Sequence, residues 1–228
     1  MNKLLTIVGM GPGVSLAVAN RFSAEGYAVA MVARSQEKVD TYASELRQKG
    51  RQALGFAGNA GNEDSLRQVF SDIHAKLGAT DVLVYNAFAR RQGGTTALTA
   101  EQLVEDFRVN VVGALVSVQQ VVEAMRKAGR GTILLTGGGL ALDPVPQLFS
   151  SFGGFASLAI GKAGMRSLTF SLAKDLEPAG IHVATVTICG IVQDGTYFAP
   201  STIAEVFYRL HLQPAEQWER EIIYRRVS

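Results

Sequence analysis

Residues 4–34 read LLTIVGMGPGVSLAVANRFSAEGYAVAMVAR, and the changes of pattern inside this stretch decide the fold. Residues 4–8 are an apolar run of strand length. Gly9, Gly11 and Gly13 interrupt it, and Val14, Ala17, Val18 and Phe22 then recur at helical spacing. Gly26 stops that helix, and residues 27–33 form a second buried strand. Strand, glycine-rich turn, helix and parallel strand make up the first half of a dinucleotide-binding sheet. In such a half the turn presents bare backbone N–H groups and a helix N-terminus to a pyrophosphate. Ordinary tight turns also use alternating glycines, and Val14 occupies the last glycine position of G-x-G-x-x-G. The nucleotide reading therefore rests on where the cluster lies, directly after the first strand and opening the first helix.

The end of the second strand separates two cofactors. An NAD site places a carboxylate about 20 residues beyond the glycines to accept the ribose hydroxyls, whereas a 2′-phosphate repels an acid and favours a guanidinium. Here the strand ends in Ala33-Arg34-Ser35, with no acid. Charge favours NADP(H) over NAD(H), with Arg34 and Ser35 on the 2′-phosphate; the other reading of Arg34 is a solvated residue at a strand end.

Composition narrows the remaining classes. A chain of 228 residues buries one large core, and a single domain over 1–228 is expected. The formal net charge of +2 is spread without a basic run, so neither a nucleic-acid groove nor an anionic membrane surface is indicated. Small molecules and proteins remain as partners. Cys189 is the one cysteine, which excludes an internal disulfide, and His74, His182 and His211 lack metal-ligand spacing. A reducing, cytoplasmic location is expected. The first strand begins almost at once, so no signal peptide is expected, and no apolar run is long enough to span a bilayer.

Beyond residue 34, helices and strands alternate. Val39, Tyr42, Ala43 and Leu46 mark one helical face, and Gly50 ends that helix. Residues 53–57 are the third strand. Asn62 caps a helix whose core face is Leu66, Val69, Phe70, Ile73 and Leu77. Residues 81–87 are the fourth strand. Thr99 and Gln102 form a capping box, and one long helix follows, striped by Phe107, Val111, Ala114, Leu115, Val118, Val122 and Met125. Residues 132–136 are the fifth strand, residues 157–176 a further long helix, and residues 182–188 the sixth strand. The repeated βα order specifies an α/β fold: a Rossmann-like, doubly wound parallel sheet in three α/β/α layers. Ligands of such sheets lie beyond the carboxyl ends of the strands. Those ends carry the Gly9–Gly13 turn, Arg34, Asn59 with Ala60, Asn86 with Ala87, the triplet Gly137, Gly138 and Gly139, and Cys189.

At these positions the chain resembles the short-chain dehydrogenase/reductase family over nearly its whole length. The resemblance rests on G9-M-G-P-G13-V-S15, on Y85-N-A87, on Asn110, and on K162-A-G-M-R166. The family pattern G-x-x-x-G-x-G is met at Gly9 and Gly13, while Ser15 replaces the last glycine. Asn59 stands where the family commonly has an aspartate near adenine. Asn86 corresponds to the family's N-A-G asparagine, with Phe88 in place of the glycine. The resemblance implies a nicotinamide cofactor held by Gly9, Gly11, Gly13, Val14, Arg34, Ser35, Asn59, Ala60, Asn86, Ala87 and Lys162. It also implies hydride transfer between that cofactor and a carbonyl or alcohol.

The resemblance also implies a catalytic set, of which Asn110 and Lys162 are the remnant. Leu158 stands four residues before Lys162, where the family has its proton-passing tyrosine. Gly137 or Gly138 takes the place of the serine that polarises the substrate oxygen. Leucine and glycine transfer no proton, so the usual mechanism is not encoded. Lys162 is read either as a ligand of the nicotinamide ribose or as a core-lining lysine, and Asn110 either as a functional group or as a satisfied polar kink. Ser150, Ser151, Ser157, Tyr197 and Cys189 are the candidate replacement donors. Phe149, Phe152, Phe155 and Leu158 suit either an apolar pocket floor or a packing surface.

Towards the C-terminus, residues 190–212 resemble the family's mobile substrate loop followed by a helix over 203–210. Residues 218–226 read as a final edge strand flanked by Arg220, Arg225 and Arg226. By the same resemblance a homodimer or homotetramer is expected. Two function classes stay open: an NADP(H)-dependent oxidoreductase for a small, rather apolar carbonyl or alcohol with a non-standard proton donor, and a catalytically inactive nucleotide-binding sensor or scaffold.

Overall fold

The structure is a computed structural model and describes residues 3–142 and 155–226. Seven strands form one parallel sheet: β1 (Leu4–Val8), β2 (Ala28–Ala33), β3 (Ala53–Ala57), β4 (Val82–Tyr85), β5 (Gly131–Gly138), β6 (Ile181–Ile188) and β7 (Glu221–Tyr224). Their spatial order is β3-β2-β1-β4-β5-β6-β7. The chain thus winds outward from β1 to β3, returns to lay β4 beside β1, and winds outward the other way. The switch point lies between β1 and β4.

The alternation of side chains along each strand explains the three layers. Leu5 and Ile7 of β1 join one core with Phe22, Met31, Val39 and Phe207, while Leu4 and Val8 join the other with Phe70, Tyr85, Leu135 and Met165. The first core is roofed by α1 (Val14–Ala24), α2 (Gln36–Gln48) and α7 (Pro200–His211), the second by α3 (Glu63–Leu77), α5 (Gly113–Ala128) and α6 (Ala156–Leu176). A strand buried on both faces needs a continuous apolar run, which is what residues 4–8 and 28–32 supply. Each fully buried large side chain, such as Phe22 at 0% exposure, contributes roughly 1.5 to 3 kcal/mol.

Local signals set the helix ends. Asn62 Oδ1 accepts from the Ser65 amide at 2.8 Å, and both bonds of the Thr99–Gln102 capping box are present at the start of α4 (Ala100–Phe107). The long helix expected after Thr99 is not continuous, however. A π-helical turn over Arg108–Val112 separates α4 from α5. The cause lies outside the helix. Buried Asn110 holds both backbone groups of Ala89 through its side-chain amide, each at 2.9 Å, and the Val109 carbonyl accepts from the Tyr85 hydroxyl. A widened turn frees a carbonyl for an outside donor.

Strand limits also shift. β4 ends at Tyr85 rather than at residue 87, β5 runs on through Gly138, and the last strand is confined to Glu221–Tyr224. β7 is pinned by the Arg166–Glu221 ion pair at 2.6 Å, and just before it Trp218 lies flat on His182, with ring centroids 4.9 Å apart and planes 3° from parallel. α7 is tied to the amino end of the sheet by His211, whose Nε2 meets Tyr27 Oη at 2.6 Å and whose Nδ1 meets Thr132 Oγ1 at 2.9 Å. Burial pushes the His211 imidazole down to about 4, which keeps it neutral near pH 7. No helix among the described residues is long and apolar enough to cross a membrane.

Candidate functional site

The glycine turn divides by cause. Gly9 has φ +91°, and a Cβ there would stand 2.2 Å from the Ala87 nitrogen, so the close approach of the β1 and β4 ends itself demands glycine. Its N–H and that of Met10 both donate to the Val32 carbonyl at 2.9 Å, tying the turn to β2 as well. Gly11 and Gly13 have no such reason. Neither has a positive φ, and a Cβ on either would meet no atom of the chain within 4 Å. They border the N-terminus of α1, which has no side-chain cap and no acid in its first turn. Bare backbone at an uncapped helix start suits a pyrophosphate, and the glycines give it close approach.

Ser15, seen in the sequence only as a departure from the glycine pattern, locks the turn. Its hydroxyl donates to the Gly9 carbonyl at 2.8 Å and accepts from Asn86 Nδ2 at 2.6 Å, while the Asn86 amide donates to the Val8 carbonyl at 2.8 Å. Asn86 and Ala87 therefore hold the first turn against the switch point. Val14 is buried in the core beneath it.

At the far end of the turn, Arg34 is exposed beyond β2. Ser35 caps α2, its Oγ accepting from the Lys38 amide at 3.3 Å, which leaves the hydroxyl proton for an outside acceptor. Asn59 follows β3. Its amide donates to Ser65 Oγ at 2.9 Å and its Oδ1 accepts from Gly61 at 3.0 Å, so this side chain shapes the loop that carries Ala60.

Lys162 lies one turn beyond Leu158 in α6 and is 7% exposed. Its Nζ donates to the Thr136 carbonyl at 2.5 Å, and burial pushes its pKa down to about 8. The two glycines considered for the missing serine separate here. A Cβ on Gly137 would stand 2.6 Å from Thr187 Oγ1 and 2.7 Å from Thr185 Oγ1, whereas one on Gly138 would meet the Lys162 stem at 3.6 to 3.7 Å, an ordinary contact. Gly138 is the position that faces the lysine. Asn110 spends its amide on Ala89, and Gly161 beside it is glycine because a Cβ would stand 2.6 Å from Asn110.

The candidate proton donors differ in environment. Ser157 is buried, and its Oγ has no hydrogen-bond partner among the described residues. Burial raises the Cys189 thiol, which weakens it as an acid, and its Sγ contacts the Thr187 carbonyl. Tyr197 is half exposed and stacks on Tyr224. Ser150, Ser151, Phe149 and Phe152 lie outside the described residues. No group of three His, Cys, Asp or Glu among the described residues is placed to hold a metal.

The loop after β4 carries residues the sequence did not single out. Arg91 pairs with Glu105 and with buried Asp106, Gly93 bridges to Phe155, and the Arg90 guanidinium stands 5.4 Å from the centre of the Phe155 ring. Exposed Phe88, Leu142, Ile191, Val192 and Tyr197 follow β4, β5 and β6, so apolar side chains rim the same carboxyl end.

The model of the short chain dehydrogenase family matches residues 3–201. A short-chain dehydrogenase/reductase of Hericium erinaceus is 30% identical over 185 residues, which cover 77% of this chain and 69% of that protein. Among solved structures, a short-chain dehydrogenase from Rhodopseudomonas palustris matches with TM-score 0.86 at 25% identity, covering 100% of both chains. A metagenomic short-chain oxidoreductase in complex with NADP matches with TM-score 0.85 at 23% identity, over 97% of this chain and 96% of that one. The chain belongs to the short-chain dehydrogenase/reductase family.

Proposed function

We propose that this family member is an NADP(H)-dependent oxidoreductase acting on a small, rather apolar carbonyl or alcohol, with a proton donor other than tyrosine. The observation that carries the reading is the buried Lys162 beneath Gly138, at the same end of the sheet as the uncapped glycine turn. In this reading the turn residues Gly9, Gly11, Gly13 and Val14 hold the pyrophosphate, with Asn86, Ala87 and Ser15 keeping them in place. Arg34 and Ser35 take the 2′-phosphate, Asn59 and Ala60 border the adenine, and Lys162 bonds the nicotinamide ribose. The nicotinamide, when bound, supplies or accepts the hydride. Phe88, Ile191, Val192 and Tyr197 keep water from the reacting carbonyl and select apolar substrates.

Leu158 favours a second reading, a nucleotide-binding sensor or scaffold without turnover, because nothing at the tyrosine position transfers a proton. A cytoplasmic location, supported by the single Cys189, fits both readings. So does assembly as a homodimer or homotetramer, supported by the exposed apolar Val104, Val112, Leu115 and Ile160 on α4, its continuation into α5, and α6.

Calorimetry with NADPH and NADH tests the cofactor. NADPH is expected to bind more tightly by about 1.5 to 3 kcal/mol through charge-assisted bonds to Arg34, and Arg34→Asp is expected to reverse the order. Equal affinities in the unmutated protein would sink the assignment. Loss of nicotinamide absorbance across a panel of carbonyls then separates the two readings: turnover supports the oxidoreductase, and tight binding with none supports the sensor.

A further inference from the structure

The loop between β4 and α4 is fixed at three points. Ala89 is held on both backbone groups by buried Asn110, Arg91 is held by Glu105 and Asp106, and Gly93 bridges to Phe155 at the start of α6. Arg90 lies between the first two anchors, so its backbone is constrained on both sides while its side chain is exposed. The guanidinium lies over the Phe155 ring, three residues before Leu158. Among the described residues it makes no ion pair, although its neighbour Arg91 makes two. This cation is therefore set at the apolar mouth of the site on a loop anchored on both sides, resting on Phe155 and with its charge unpaired among the described residues. A guanidinium resting on an aromatic face is shielded on that side and keeps its N–H edges for two parallel bonds to a planar acceptor.

We propose that Arg90 anchors the substrate and that the substrate is an oxo acid, an apolar carbonyl compound carrying a carboxylate away from its reacting carbon. This rests on the oxidoreductase reading and narrows it. The apolar rim takes the body of the molecule, Arg90 takes the carboxylate, and the carbonyl is directed towards Gly138 and Lys162. A carboxylate fits better than a phosphate because one guanidinium balances one negative charge, and Arg91, the adjacent cation on the loop, is already neutralised. Fixing the two ends of a flexible substrate converts binding at Arg90 into orientation at the carbonyl.

The test uses 4-oxopentanoate, 6-oxoheptanoate and 8-oxononanoate beside their methyl esters, with NADPH consumption followed by absorbance. For the acid whose length spans the site, kcat/KM is expected to exceed that of its ester by about 10- to 100-fold, the range of a charge-assisted bond. Arg90→Gln should bring the acid-to-ester ratio close to one, and Arg90→Lys should leave it in between. Arg126→Gln, an exposed arginine in the last turn of α5, should leave it unchanged. A ratio near one for every pair in the unmutated protein, or a preference that survives Arg90→Gln, overturns the proposal. If no carbonyl is turned over, the oxidoreductase reading fails and the anchor is read from binding alone. Octanoate should then bind the NADP⁺-loaded protein at least about tenfold more tightly than octan-1-ol and lose that margin in Arg90→Gln. Octanoate and octanol bound equally, or neither bound, counts against Arg90.

Discussion

Lys162 is a cation among buried atoms with one carbonyl as its observed partner. Its folded pKa of about 8 lies below the ordinary 10.5, so between these values the unfolded chain binds the proton and the folded chain does not. Stability from this group is greatest above pH 10.5 and is lost as pH falls through 8, where the buried ammonium costs at most about 3 kcal/mol. Lys162→Met removes the charge but orphans the Thr136 carbonyl. A net gain of about 1 to 2 kcal/mol at pH 7 is expected, shrinking towards pH 10.5, as measured by urea unfolding at both values. NADPH affinity in the same variant should fall by about 1 to 3 kcal/mol, and a stabilised variant with unaltered affinity would remove Lys162 from the cofactor site.

At the scale of elements, the end of β5 and the first turn of α6 decide whether the family's chemistry can be restored. Gly138→Ser places a hydroxyl against the Lys162 stem at ordinary contact distance, whereas Gly137→Ser drives a Cβ into Thr185 and Thr187. The first should fold with little loss, and the second should lose about 1 to 3 kcal/mol in thermal unfolding. Leu158→Tyr combined with Gly138→Ser should raise carbonyl reduction by about 10² to 10⁴. A folded, NADPH-binding double variant without any gain would mean that the pocket does not present the carbonyl to these groups. The sequence could not choose between Gly137 and Gly138, because the choice is made by two threonines on a neighbouring strand. The π turn at Asn110 was hidden for a similar reason. The apolar stripe on either side keeps a helical spacing, and the partner that holds the turn, Ala89, is 21 residues away. The first βαβ unit and the caps at Asn62 and Thr99 were legible because their causes are local: a buried strand must be apolar throughout, and a helix start must satisfy its first amides.

For the molecule as a whole, the parallel, doubly wound sheet followed from the βα order, while the strand order that puts the switch point between β1 and β4 is read from the structure. What the order did not reveal is the loop from β4 to α4, whose course depends on Asn110, Asp106 and Phe155 together. The apolar residues exposed on α4 to α6 form the surface assigned to self-association. Leu115→Glu with Ile160→Glu should shift the protein towards monomer in sedimentation velocity at micromolar concentration, with helix content unchanged by circular dichroism. An unchanged sedimentation coefficient would place any subunit contact elsewhere.

The stack of Trp218 on His182 gives the molecule an optical label. Trp218 is the single tryptophan of the chain, and His182 stands near the start of β6, at the opposite end of that strand from Cys189 and the candidate site. Indole emission therefore reports one place only, the seam where the last strand joins the sheet. Burial lowers the pKa of His182 and favours its neutral form, so the stacked imidazole becomes a quencher on acidification, and parting of the two rings relieves that quenching. Red-shifted or brightened emission marks the peeling of β7 from β6, a partial opening that a probe at the nucleotide end would not register.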